Sequence, residues 1–286
     1  MNNTFNIKRF GLVFRKDLIE NGKRYLLLFL TMLGLITLVI TLVIPVLTFN
    51  YYDKNLSNQV NYMDHNRVLL TWLSFLFFGF GTWFASTFST PMNSKLKRLS
   101  YLASPSSNLE KYFVRWSFTT IGFICAFFVA SWVSDMIRVA LYAVVFPTVD
   151  VHFLDLTKFV APKEAPYSYE YILPKDVFTI MTSIYFFTQS VFLLGSTFWD
   201  KASFIKTFTA VTIIITVYSF ICRWVMLLCY GSLDGYSNVL DSFALSERYS
   251  QEQAITIVVI VISVFTLTNW ILAYFRLKES EIIKRL

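Results

Sequence analysis

Residues Tyr25 to Thr48 read YLLLFLTMLGLITLVITLVIPVLT, twenty-four positions without one charged side chain. Crossing about 30 Å of hydrocarbon as a helix takes about 20 apolar residues, because lipid forces each backbone N–H and C=O to pair within its own segment. The run meets that length. It is far longer than the roughly 7 to 15 residue apolar core of a signal peptide, and no small-x-small cleavage site follows it. It is therefore expected to stay as a span, with Pro45 near its outer end.

Five more runs meet the same requirement: Leu69 to Phe88, Tyr112 to Phe146, Val177 to Trp199, Phe204 to Cys229 and Ala254 to Phe275. At about 1.5 Å per residue the third would overshoot the bilayer, so it is either strongly tilted or projects beyond one face. Of the 286 residues, 56% are hydrophobic and only 15% are Asp, Glu, Lys or Arg. A soluble domain carries about a quarter charged residues. These features predict an all-α integral membrane protein of six transmembrane helices. The net charge of +7 is spread between the apolar runs, with no basic stripe interleaved with aromatics, so nucleic acid is not an expected partner and the lipid bilayer is. Cys125, Cys222 and Cys229 lie in or beside apolar runs without paired spacing, which supports neither a disulfide framework nor a zinc site.

Lys and Arg are retained on the cytoplasmic side of spans, so alternate segments can be compared. The N-terminal segment, the second and fourth connections and the tail hold six, five, two and four, seventeen on one side. The first, third and fifth connections hold six between them, which puts both termini in the cytoplasm of a cell (inner) membrane. The third connection, Pro147 to Asp176, is rich in proline, acid and tyrosine and should form an ordered, largely non-helical outer cap. The fifth, Tyr230 to Gln253, is polar.

Within Phe5 to Glu20, Ile7, Phe10, Phe14 and Leu18 recur at helical spacing, with Lys8, Arg9, Arg15 and Lys16 mostly off that line. Asn21-Gly22 then breaks the pattern. The segment reads as an N-terminal amphipathic helix in the inner interface, or as a basic flank that only sets orientation. The organisation is thus a cytoplasmic helix at 1–24, a transmembrane domain at 25–275 and a tail at 276–286.

The second connection carries most of the functional signal. It ends Leu102-Ala-Ser-Pro-Ser-Ser-Asn-Leu-Glu-Lys-Tyr112, where Ser107 or Asn108 is a plausible N-cap for a helix entering the third span. Here the chain resembles the membrane-spanning subunits of bacterial type 2 ABC exporters, whose corresponding loop reads approximately Leu-Pro-Ala-Ser-x-x-Glu-Lys-Phe. Gly195-Ser-Thr-Phe-Trp-Asp-Lys-Ala-Ser-Phe-Ile-Lys-Thr207 looks like the fourth connection of that branch, and the six-span layout is similar to it over the whole chain. The resemblance implies a permease that exports an unidentified substrate and pairs with a second permease subunit as a homo- or heterodimer. It binds no cofactor itself, ATP being held by a separate cytoplasmic ABC ATPase subunit that docks on the inner loop. The contact residues it implies are Leu102, Ser104, Pro105, Ser107, Glu110 and Lys111, and charge reversal at Glu110 or Lys111, or Leu102→Asp, is expected to weaken docking without unfolding the spans. A solvated basic loop is the plainer reading of the same residues. In agreement, the chain has no Gly-x-x-x-x-Gly-Lys-[Ser/Thr] phosphate loop.

Asp135 and Arg138, three apart within the third run, share a helix face and can pair, either as a lining for polar substrate or as a structural salt bridge. Arg223, near the outer part of the fifth span, can snorkel or reach Asp234. An enzyme is not expected. His65 and His152 are the only histidines, no His-Glu-x-x-His or Gly-x-Ser-x-Gly pattern occurs, and no two carboxylates sit together within the spans. The nearer alternative is a non-transporting assembly or structural subunit, and a polytopic membrane enzyme is the more distant one.

Overall fold

A computed structural model describes residues 5–43, 58–90, 101, 106–145, 153–154, 156, 174–199, 201–230 and 251–283. Every regular element among them is helical. The elements are α1 (Ile7–Leu38), continued by a π-helical turn (Val39–Val43); α2 (Asn58–Ser86); α3 (Asn108–Ser117), a second π-helical turn (Phe118–Gly122) and α4 (Phe123–Val145) as one rod; α5 (Pro174–Phe198); α6 (Ser203–Tyr230); and α7 (Gln251–Ile283). Six helices are long and apolar enough to cross a membrane, at Ile7–Leu42, Val68–Ser86, Asn108–Val145, Phe178–Phe198, Ser203–Val225 and Gln253–Glu279. The fold is therefore the six-span, all-α one that the apolar runs predict. The cap expected from the third connection lies outside the described residues, apart from Phe153, Leu154, Leu156 and the start of α5. The fifth connection lies outside them except at its ends, where α6 closes and α7 begins.

Serine and threonine are frequent in these helices, and their hydroxyls would be costly in lipid if left unpaired. Most donate to the carbonyl one turn earlier on the same helix: Thr31 to Leu27, Thr209 to Ile205, Thr212 to Phe208, Thr216 to Thr212 and Ser263 to Val259, all at 2.7–2.9 Å. Polar side chains can thus occupy exposed positions on a span without a partner helix.

The chain divides into two units. In the first, α1 and the α3–α4 rod run in the same direction and in register along their whole lengths. Arg9 meets Glu110, Asp17 meets Arg115, the Thr37 hydroxyl donates to Ser134 Oγ at 2.9 Å and the Tyr142 hydroxyl donates to the Thr41 carbonyl at 3.0 Å. Met32, Ile36 and Ile40 are fully buried along this seam. Helix α2 runs the opposite way against the rod, with Phe77 5.0 Å from Phe127 and Phe84 5.3 Å from Phe123 between ring centroids. Alternation of direction along the chain is what consecutive spans require.

One expectation is corrected. Asn21-Gly22 does not end a separate interfacial helix, because α1 passes through both residues without interruption. Asn21 Nδ2 donates back to Asp17 Oδ1 at 2.9 Å, which supports the helix at this point. Glycine in a helix interior costs only about 1 kcal/mol relative to alanine. That cost is small beside the contacts Asp17 and Tyr25 make with the rod. Of the apolar line read from the sequence, Phe10 and Phe14 turn inward, while Ile7 and Leu18 are exposed.

In the second unit α5 and α7 run parallel. Trp270 Nε1 donates to the buried Gln189 Oε1 at 3.3 Å, Asn269 Nδ2 donates to the buried Ser190 Oγ at 3.0 Å, and the Arg276 guanidinium lies 4.3 Å over the Phe198 ring. Helix α6 follows α5 through a short connection that holds Ala202 in the left-handed region at φ 52°. The two helices touch at Gly195, where an added Cβ would overlap Thr207 Oγ1 and lie 2.6 Å from its Cγ2. Gly195→Ala is expected to push α5 and α6 apart at a cost of about 1–3 kcal/mol. A lowered midpoint in a thermal scan of the detergent-solubilised protein, partly restored by adding Thr207→Ala, is the result to look for.

Candidate functional site

Ser107 caps α3 from an extended backbone (φ −72°, ψ 155°), and its hydroxyl accepts the Glu110 N–H at 3.3 Å. Glu110 Oε2 accepts the Ser107 N–H at 3.0 Å in return, so the two residues close a reciprocal capping box. This settles the choice between Ser107 and Asn108 as the cap. The other carboxylate oxygen reaches the N-terminal segment: the Asn6 backbone N–H donates to Glu110 Oε1 at 2.8 Å, and Arg9 Nη2 lies 3.1 Å from it. Glu110 is 0% exposed. A buried carboxylate is tolerated only when such donors replace its water, and here one side chain closes the start of α3 and fastens α1 to it.

A second clasp lies two turns further along α1. Arg115 Nη2 is 3.4 Å from Asp17 Oδ1, the Tyr25 hydroxyl donates to Asp17 Oδ2 at 2.6 Å, and Arg115 Nη1 donates to the Tyr25 hydroxyl at 3.2 Å. Phe118 is then held face to face between Phe14 (4.5 Å, 12°) and Tyr25 (5.0 Å, 19°). The π-helical turn begins at Phe118. Such turns replace an i→i−4 bond by a wider one and often mark sites where a helix must adjust. It coincides with the point where α1 becomes continuously apolar.

Of the loop residues the resemblance implies, Leu102, Ser104 and Pro105 lie outside the described residues. Ser107 is partly buried, and Glu110 and Lys111 are buried. The Glu110 carboxylate is engaged entirely within the chain, so reversing its charge would strike folding first. The sequence reading missed Asn6, Arg9, Asp17, Tyr25 and Arg115 as members of this cluster. The available signal was that Glu110 is the one acid in a basic connection, needing a cation to be buried.

Asp135 and Arg138 form a buried ion pair. Arg138 Nε donates to Asp135 Oδ1 at 2.8 Å, Arg138 Nη2 lies 2.7 Å from the same oxygen, and the Leu154 backbone N–H donates to Asp135 Oδ2 at 2.7 Å. Both side chains are 3% exposed. The carboxylate thus anchors a residue of the third connection as well as the arginine. One turn earlier, Ser131 Oγ is buried without a hydrogen-bond partner among the described residues. Arg223 is exposed and has no ion pair among the described residues, and Asp234 lies outside them. Among the described residues no three His, Cys, Asp or Glu side chains gather to hold a metal ion.

No known protein family model, curated protein or solved structure matches this chain.

Proposed function

We propose that the chain is the membrane-spanning permease subunit of an ABC-type exporter. In this reading it has both termini in the cytoplasm of the cell membrane, pairs with a second permease subunit, and takes its driving force from a separate cytoplasmic ATPase. The observation that supports the reading is the capped start of α3 at Ser107–Glu110. It follows the most basic inner connection, carries the sequence that resembles a coupling loop, and is fastened to α1 by a buried carboxylate. A permease without a phosphate loop must receive a mechanical stroke from outside. A loop end tied rigidly to two long helices would pass displacement into both at once. The seventeen-to-six charge distribution supports the orientation.

The test is purification of the tagged protein from its native membrane in mild detergent, followed by ATP hydrolysis sensitive to vanadate. The expected result is a stoichiometric ATPase with ABC signature motifs in the eluate. If no ATPase accompanies the protein, the exporter reading fails and a non-transporting assembly subunit takes its place.

A further inference from the structure

Helix α1 with its continuation (Ile7–Val43) spans 37 residues and the α3–α4 rod 38, about 56 and 57 Å at about 1.5 Å per residue, against a hydrocarbon core of about 30 Å. The continuously apolar part of α1 begins at Tyr25, and from there to Val43 is about 28 Å, enough for the core. Because the helix is uninterrupted, its first half cannot turn to lie flat on the bilayer. Residues 7–24 and the start of the rod therefore stand out together as a short stalk. The inner face of α1 in this stalk is taken up by the contacts of Arg9, Phe10, Phe14 and Asp17. The opposite face carries Lys8, Leu12, Arg15, Ile19 and Lys23 at spacings of four, three, four and four, one stripe along a helix. All five are exposed, Leu12 at 66% and Ile19 at 70%. The side chains of Lys8, Arg15 and Lys23 make no ion pair among the described residues, whereas Glu20, off the stripe, is answered by Lys16 at 3.7 Å.

We infer that this stripe is a docking surface for a soluble protein whose own face is acidic with an apolar centre, and, resting on the reading above, that this protein is the ATPase subunit. Three cations without counter-ions call for carboxylates on the partner. Leu12 and Ile19, two large exposed aliphatic side chains aligned between the cations, supply the apolar centre that an acidic-rimmed partner face would cover. The clasps at Glu110 and Arg115 hold the stripe rigid, so binding loses little conformational freedom. Because the same clasps tie the stripe to α3, a partner seated here would also bear on the capped loop.

The experiment places a photoreactive amino acid at Leu12 or Ile19 of the full-length protein in its native membrane and identifies the adducts by mass spectrometry. The expected adduct is with the ATPase recovered by co-purification. The triple variant Lys8→Glu, Arg15→Glu, Lys23→Glu should lower that recovery roughly tenfold while the gel-filtration profile stays unchanged. Adducts with lipid, with the chain itself or a second copy, or no adduct while ATPase still co-purifies would overturn the docking surface alone, as would undiminished recovery with the triple variant. Absence of any ATPase from both experiments would overturn this surface together with the exporter reading.

Discussion

Asp135→Ala should remove most of the folded protein, with an expected loss of about 3–5 kcal/mol, because it leaves the Arg138 guanidinium buried without its carboxylate. It also orphans the Leu154 N–H, which donates to Asp135 Oδ2. Asp135→Asn should be milder, since the amide oxygen can still accept one of the two donors. Exchanging the residues, Asp135→Arg with Arg138→Asp, preserves an i, i+3 pair but moves the carboxylate away from Leu154, so it should recover only part of the loss. The measurement is the monodisperse fraction by gel filtration after graded heating in detergent. Wild-type stability of Asp135→Ala would show that the pair is not structural. Complete recovery in the exchange would mean that the Leu154 contact contributes nothing.

Glu110→Lys is the second change of large expected effect. It replaces the acceptor of two backbone N–H groups and of Arg9 by a further cation at a fully buried position. Because Arg9 is 32% exposed and can return to water, the cost is carried mainly by the two orphaned backbone N–H groups and is expected to be about 2–3 kcal/mol, enough to loosen α1 from α3. Glu110→Gln keeps one acceptor and the shape, and should cost about 1–3 kcal/mol. A cysteine pair reporting proximity of the α1 start to α3 would follow the change directly. Phe5 and Phe113 have ring centroids 6.3 Å apart, so disulfide formation between cysteines at these two positions in an otherwise wild-type chain, lost with Glu110→Lys, is the outcome to expect. Retained pairing and normal melting, with only ATPase binding lost, would mean that Glu110 serves the partner and not the fold.

The spans were legible because hydropathy reports what lipid requires of a helix locally. Each of the six apolar runs falls on one of the apolar helices, and α6 starts at Ser203, next to the Phe204 read from composition. The lengths of the first and third helices were less legible. Their polar halves are held in helical form by partners about a hundred residues away, and no local pattern pairs Arg9 with Glu110 or Asp17 with Arg115. Asn21-Gly22 misled for the same reason. Local propensity read a stop where tertiary contacts on both sides carry the helix through. The Asp135–Arg138 pair was visible from spacing alone, since both members lie on one helix, whereas its third member, Leu154, was not.

The parallel register of α1 with the α3–α4 rod also sets a schedule for biosynthesis. Asn6 and Glu110 are 104 residues apart, and α1 leaves the ribosome first. At roughly 5–20 residues per second, α1 waits on the order of 5–20 s before its partner helix exists. For that interval Asp17 and Arg9 lack the groups that later bury them, and Thr37 faces no Ser134. The first helix must therefore be stable on its own as a single inserted span, which the long uncharged run from Tyr25 permits. While it waits, its hydroxyls are not left bare in lipid, because Thr31 and Thr37 donate back to Leu27 and Leu33 one turn earlier on the same helix.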